Sequence, residues 1–165
     1  MPDSKAAPSI PTAGWLSGCD VVVARWPGPR FSKPPTMIVL HRGQGPGDIA
    51  GYFRDPSDGR PVSAHFVVNK SGKRIQCVSL YKRAQHAGAL YNYRSIGIET
   101  QGPIGSDWPE DQIASLLVLL RQVVGVYPTI KTIAAHSTLA PLTRRDPGKN
   151  FPWHRLECLG LRLRP

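Results

Sequence analysis

Two histidines in this chain stand where strands deliver side chains to a sheet edge. His41 closes the apolar run 36–40 (TMIVL), and His136 follows the run 132–135 (TIAA). If those strands are neighbours, both imidazoles project at one edge, the place where sites of open sheets collect. Ten residues beyond His136, Asp146 lies in Arg144-Arg145-Asp146-Pro147-Gly148, a turn-rich segment able to aim a carboxylate back at that edge. Two imidazoles, one carboxylate and an open fourth position make the donor set of a catalytic zinc centre. Spacing by itself leaves other choices open. The chain has five histidines, at 41, 65, 86, 136 and 154, and a histidine taken singly is more often a hydrogen-bonded structural residue than a ligand.

The elements that must position these groups follow from periodicity and punctuation. The run before His41 reads as a buried strand ended by a glycine-rich stretch (GQGPG), and residues 48–55 as a short helix. Residues 56–61 (PSDGRP) form a turn-rich loop. The runs 63–69 and 74–80, joined by Lys70-Ser71-Gly72-Lys73, read as a hairpin. Residues 95–101 (SIGIETQ) make a further strand whose Gly97 tolerates the close approach of a neighbouring backbone. From 109 to 127 the apolar residues Ile113, Leu116, Leu117, Leu120, Val123 and Val124 recur at helical spacing, between a Pro-Glu-Asp start and a Gly125, Pro128 stop. Strand 132–135 leads into His136, and a short helix is expected near 153–159. Strands first, one long helix later and a returning strand predict an α/β fold, a mixed central sheet flanked by helices. Residues 1–35, with seven prolines in the first 36, are expected to form an irregular arm on or beside the core made by residues 36–165, the whole being one domain.

Composition bounds the function. The chain has 165 residues, enough for a sizeable core, and 41% of them are hydrophobic, which excludes a disordered chain. Lys and Arg number 21 against 11 Asp and Glu, a net charge of +10 that suits polyanionic partners such as nucleic acid, anionic membrane or cell wall. No nucleic-acid-binding signature accompanies the charge, so no specific nucleic acid is expected. No apolar run approaches the ~20 residues that cross a bilayer. The Pro-rich start lacks a secretory pattern, so cytoplasmic synthesis is expected. Cys19, Cys77 and Cys158 are an odd, dispersed set that implies neither disulfides nor a cysteine zinc site; Cys77 reads as a small buried hydrophobe.

The ordered segments IVLH (38–41), SAHFVV (63–68), RAQHAG (83–88), YN (91–92), SIGIE (95–99), AAHSTLAP (134–141) and RRDPGKNFPW (144–153) resemble the zinc-dependent N-acetylmuramoyl-L-alanine amidases. That family includes phage endolysins, the cytosolic anhydro-muropeptide amidase and the peptidoglycan recognition proteins. The resemblance implies one zinc per chain on His41, His136 and Asp146, and cleavage of the amide between the lactyl group of N-acetylmuramic acid and L-alanine of the stem peptide. It makes Glu99 the general base. Arg144 stands where many members carry a lysine that stabilises the oxyanion; an arginine can donate a forked pair of hydrogen bonds but does not shuttle a proton at neutral pH. Ala64 stands where phage lysozyme-type members carry a tyrosine, which leaves Glu99 as the proton carrier.

By the same resemblance His86 lines the groove and orients substrate, Tyr91 and Asn92 lie along the peptide groove, and Arg83, with Arg94 and Arg60, is available to stem-peptide carboxylates. His65 is expected to pack under the site and His154 to lie on the surface. Asp146 favours an enzyme over a peptidoglycan-binding module, since lectin-like members lack an ionisable ligand there. The partner is peptidoglycan or a muropeptide, and the chain is expected to be a monomer. The strong positive charge points first to a phage-type lytic endolysin, with the anhydro-muropeptide recycling amidase as the alternative. Arg155, Arg162 and Arg164, set among Leu156, Leu159, Leu161 and Leu163, offer contact with anionic outer-membrane lipid.

Overall fold

The structure is a computed structural model that describes residues 12–43 and 47–165. Of the expected N-terminal arm, residues 1–11 lie outside the described part. Among the described residues seven strands form one sheet: β1 (Asp20–Val21), β2 (Met37–Gly43), β3 (Phe66–Val68), β4 (Arg74–Gln76), β5 (Ser95–Gln101), β6 (Thr132–Ala135) and β7 (Arg162–Arg164). Their spatial order is β1-β4-β3-β5-β2-β6-β7. The β3–β4 hairpin is antiparallel and every other pairing is parallel, so the sheet is mixed. Four α-helices among the described residues accompany it: α1 (Ile49–Arg54), α2 (Ala89–Asn92), α3 (Glu110–Val126) and α4 (His136–Leu139); a 3-10 helix spans Trp153–Leu159. No described helix is long and apolar enough to cross a membrane.

Strand alternation divides the sheet into two chemically different faces. From β2, Ile38 and Leu40 point to one face; there they meet Ile96 and Ile98 of β5, Phe66 and Val68 of β3, and the stripe Ile113, Leu116, Leu119, Leu120 and Val123 of α3. The other face holds Met37, Val39 and Ala134, with Tyr91 and Leu139 of the short helices beside them. On β5 the residues of this second face are Ser95, Gly97 and Glu99, three positions without a large apolar side chain. The SIGIE segment therefore serves both faces, with isoleucines to the core and small or polar groups to the site.

The hairpin turn has a steric reason for its glycine. Gly72 has φ +80°, and a Cβ there would lie 2.7 Å from the carbonyl oxygen of Asp111 in the first turn of α3. The termini depart most from the sequence expectations. Residues 20–21, inside the expected arm, pair with β4 as an edge strand, and Leu16 N donates to Gln76 Oε1 at 2.8 Å. At the other end Leu163 of β7 pairs with Ile133 of β6, while Leu156 is buried and Leu159, Leu161 and Leu163 pack on the core. The apolar side of the C-terminal segment faces inward, and Arg162 and Arg164 are what it presents to solvent.

The α3 packing carries a prediction. Leu120 is fully buried between helix and sheet; Leu120→Ala removes buried methyl groups and leaves a cavity, at a cost of about 3 kcal/mol. Urea denaturation followed by circular dichroism is expected to show the unfolding free energy lower by that amount, through a lower midpoint with an unchanged slope.

Candidate active site

The parallel pairing of β5, β2 and β6 builds the site. Register places His41 directly opposite Glu99 on β5 and puts Leu40 opposite Ala135, the last residue of β6, so that His136, the first residue of α4, emerges beside His41. Thr100 Oγ1 donates to the His41 carbonyl at 2.7 Å and fixes that strand end. Asp146 comes from the loop after α4, tied back by Ser137 N donating to the Asp146 carbonyl at 2.9 Å.

The three donor atoms form a nearly equilateral triangle. His41 Nδ1 lies 3.0 Å from His136 Nδ1 and 3.2 Å from Asp146 Oδ2, and His136 Nδ1 lies 3.1 Å from Asp146 Oδ2. Ligands of tetrahedral zinc at 2.0–2.1 Å are separated by about 3.3 Å, so the triangle has close to the dimensions of one face of such a site. The cluster has the composition and spacing to hold a metal ion. Its protonation suits that purpose. Burial pushes His41 down to about 4 despite its contact with Asp146, leaving a neutral imidazole at pH 7. Burial works to raise the Asp146 carboxyl, but its contacts with His136 and His41 prevail and hold it well below the usual carboxylate range.

Around the triangle opens a cavity of about 670 Å³, lined by Glu99, Arg144, His86 and Gln85 near the donors and by Asp48, Tyr52, Asp58 and Arg60 on the far wall. Burial raises the Glu99 carboxyl to about 8; the Asp146 charge adds to this and Arg144 opposes it. Glu99 Oε2 is buried with no partner among the described residues. On the far wall, Tyr52 OH donates to Asp58 Oδ1 at 2.7 Å and Arg60 Nε to Asp58 Oδ2 at 2.6 Å.

A family model described as N-acetylmuramoyl-L-alanine amidase matches residues 31–149. The chain belongs to the N-acetylmuramoyl-L-alanine amidase family. Among curated relatives it is similar to the 1,6-anhydro-N-acetylmuramyl-L-alanine amidase AmpD of Salmonella typhimurium, 30% identical over 181 residues that cover 91% of this chain and 94% of the relative. Among solved structures, a selenomethionine derivative of AmpD superposes with a TM-score of 0.82 at 28% identity, covering 90% of this chain and 97% of that one. The endolysin amidase LysCS from Clostridium intestinale superposes with a TM-score of 0.75 at 22% identity, covering 90% and 99%, and shares the fold. The activity is that of an N-acetylmuramoyl-L-alanine amidase, and the mixed sheet flanked by helices is the architecture of these neighbours.

Within this amidase the site candidates named from sequence separate into two groups. His41, His136, Asp146, Glu99, Arg144 and His86 converge on one cavity, and Arg60 reaches its far wall. Tyr91, Asn92, Arg83 and Arg94 lie outside the lining. Tyr91 packs against Met37, Val39 and Ala134. Asn92 is buried, its Oδ1 accepting from His86 N at 3.1 Å and Ala87 N at 2.8 Å, so it shapes the loop that carries His86. Arg83 sits 5.9 Å from the Tyr93 ring. His65 is buried beneath the site, its Nδ1 accepting from Gly97 N at 3.0 Å, and His154 is exposed.

Arg42 escaped the sequence reading. It points with Ile38 and Leu40 to the helical face and is 3% exposed, its guanidinium 3.6 Å from the Trp108 ring centre. Its Nη2 donates to Ser106 Oγ and to the Asp107 carbonyl. Trp108 in turn meets Phe151 edge-on at 4.8 Å, and Asn150 Nδ2 donates to the Ser106 carbonyl at 2.9 Å. The chain of contacts fastens the segment following Asp146 to the strand that bears His41. An arginine in the phase of core residues, directly after the strand histidine, was the signal available in sequence.

The raised Glu99 carboxyl has a measurable consequence. A carboxyl ionising near 4.5 unfolded and near 8 folded binds a proton more tightly in the folded state. Its contribution to stability is therefore complete below about pH 4.5 and is lost as pH rises through 8. Denaturation of metal-free protein is expected to show Glu99→Gln matching wild type near pH 4.5 and exceeding it in stability at pH 9.

Proposed function

We propose that this amidase binds one zinc ion through His41, His136 and Asp146 and hydrolyses soluble 1,6-anhydro-N-acetylmuramyl-L-alanyl peptides, as in cytoplasmic recycling of wall fragments. The single observation that carries the substrate class is the near end-to-end match to relatives named for that substrate. Residues 12–165, the edge strand β1 included, act as one catalytic unit in this account.

Bound zinc would supply Lewis-acid polarisation of the scissile carbonyl and acidification of the attacking water. The chain's own groups do the rest. Glu99, beside His41 in register and facing the cavity, takes the proton of the attacking water and delivers it to the leaving amine of L-alanine. A raised proton affinity suits that second duty. Arg144, exposed at the cavity rim, donates to the carbonyl oxygen as negative charge grows there, and its fixed charge is why proton transfer falls to Glu99 alone. Arg60 uses Nε on Asp58, leaving its outer nitrogens to a stem-peptide carboxylate.

A lytic role rests on the +10 charge, which suits adsorption to an anionic wall or lipid surface through exposed arginines such as Arg162 and Arg164. Parallel digestion decides between substrates. Wild type is expected to release peptides with a free L-alanine amino terminus from soluble anhydro-muropeptide at least tenfold faster than from purified sacculi. Asp146→Ala is expected to release none from either. Equal or faster cleavage of sacculi would make the lytic reading the correct one.

A further inference from the structure

His86 reaches the donor triangle only through His41, and what lies behind it fixes a direction of hydrogen bonding. The Tyr91 carbonyl can only accept, so Ser95 donates its single hydroxyl proton to it, at 2.7 Å. The lone pairs of that hydroxyl are then what face His86 Nε2 at 3.2 Å, and Nε2 carries the hydrogen. A neutral ring has one N–H, so His86 Nδ1 is the acceptor, and it faces His41 Nε2 at 2.9 Å. His41 Nε2 therefore carries the hydrogen, and its lone pair is left on Nδ1, the atom that meets His136 and Asp146.

The surroundings leave His86 one place to be. Its ring stands edge-on to His41 at 5.1 Å and 89°. It lies over Gly97, where a Cβ would come within 2.5 Å of His86 Cγ. The glycine expected to admit a neighbouring backbone admits this imidazole instead. Asn92 holds the His86 and Ala87 amides from behind. Ser95 and Gly97 share the site-facing side of β5 with Glu99, so one strand supplies the terminal acceptor and the room for the ring.

We propose that His86 and Ser95 are positioning residues that hold His41 in the tautomer protonated on Nε2, so that Nδ1 is presented to the metal. This rests on the assignment of His41, His136 and Asp146 as metal ligands. Such outer partners orient a ligating imidazole, and losing one weakens metal affinity roughly 10–100-fold. Ser95→Ala deletes a single oxygen and orphans the His86 N–H; His86→Ala deletes the relay; His86→Gln keeps one acceptor and one donor.

Zinc affinity measured by competition with a chromophoric chelator tests the proposal, together with imidazole N–H signals of the zinc-loaded, nitrogen-15-histidine protein. Wild type is expected to bind one zinc and to show a slowly exchanging His41 Nε2 proton. Ser95→Ala and His86→Ala are expected to lose at least tenfold in affinity, with that proton exchanging fast in His86→Ala, and His86→Gln to recover most of the affinity. Affinities of Ser95→Ala and His86→Ala within twofold of wild type, with the His41 proton still protected, would overturn the relay alone. Equal losses in His86→Ala and His86→Gln with that proton unaffected would also overturn it. A wild-type protein that takes up no zinc would instead overturn the ligand assignment. Should His86→Ala fail to fold, Ser95→Ala decides.

Discussion

Three electron-pair donors held 3.0–3.2 Å apart are an unstable arrangement unless something positive lies among them. The lone pairs of two imidazoles and a carboxylate directed at one point repel one another, and in a buried setting that repulsion is weakly screened. A shared proton or a divalent cation relieves it, and the spacing is close to that of the ligands of a tetrahedral zinc. Much of the remaining structure meets the cost of holding such a set in place: parallel strands in fixed register, a serine and a second histidine behind the first, and an arginine clamped on tryptophan to steady the loop that brings the carboxylate.

The sheet solves this by giving its faces opposite jobs. The helical face is a continuous apolar layer between α3 and the isoleucines and leucines of β2 and β5. The other face carries Ser95, Gly97 and Glu99 on β5, where the His86 ring covers Gly97 and Glu99 opens onto the cavity. Rigidity comes from the first face and chemistry from the second. The same strand alternation that buries Ile96 and Ile98 points Glu99 at the site, so packing and function are coupled through one backbone.

Sequence patterns made the centre of this molecule legible and its edges obscure. β2, β5, β6 and α3 carry their own signals, apolar runs or helical periodicity, and their ends set His41, Glu99 and His136. β1 and β7 have two and three residues, too short for any local pattern, and exist because a neighbouring edge is there to pair with. The C-terminal leucines and arginines had an amphipathic look that suits a lipid surface equally well; only tertiary packing directs those leucines onto the core. Asn92 and Tyr91, read as groove residues from a motif, support the loop and helix beside the site. Motif position records that a residue matters without recording whether it touches substrate. Arg42 illustrates the converse, a buried charge that supports the Asp146 segment and belongs to no motif.

X-ray absorption at the zinc edge tests the central claim most directly, because it counts ligands by atom type without reference to activity. Zinc-loaded protein is expected to show four nitrogen or oxygen neighbours at about 2.0–2.1 Å, with multiple scattering from two imidazoles. A sulfur neighbour near 2.3 Å, or a third imidazole contributed by His86, would contradict the assignment of His41, His136 and Asp146 as the complete protein ligand set.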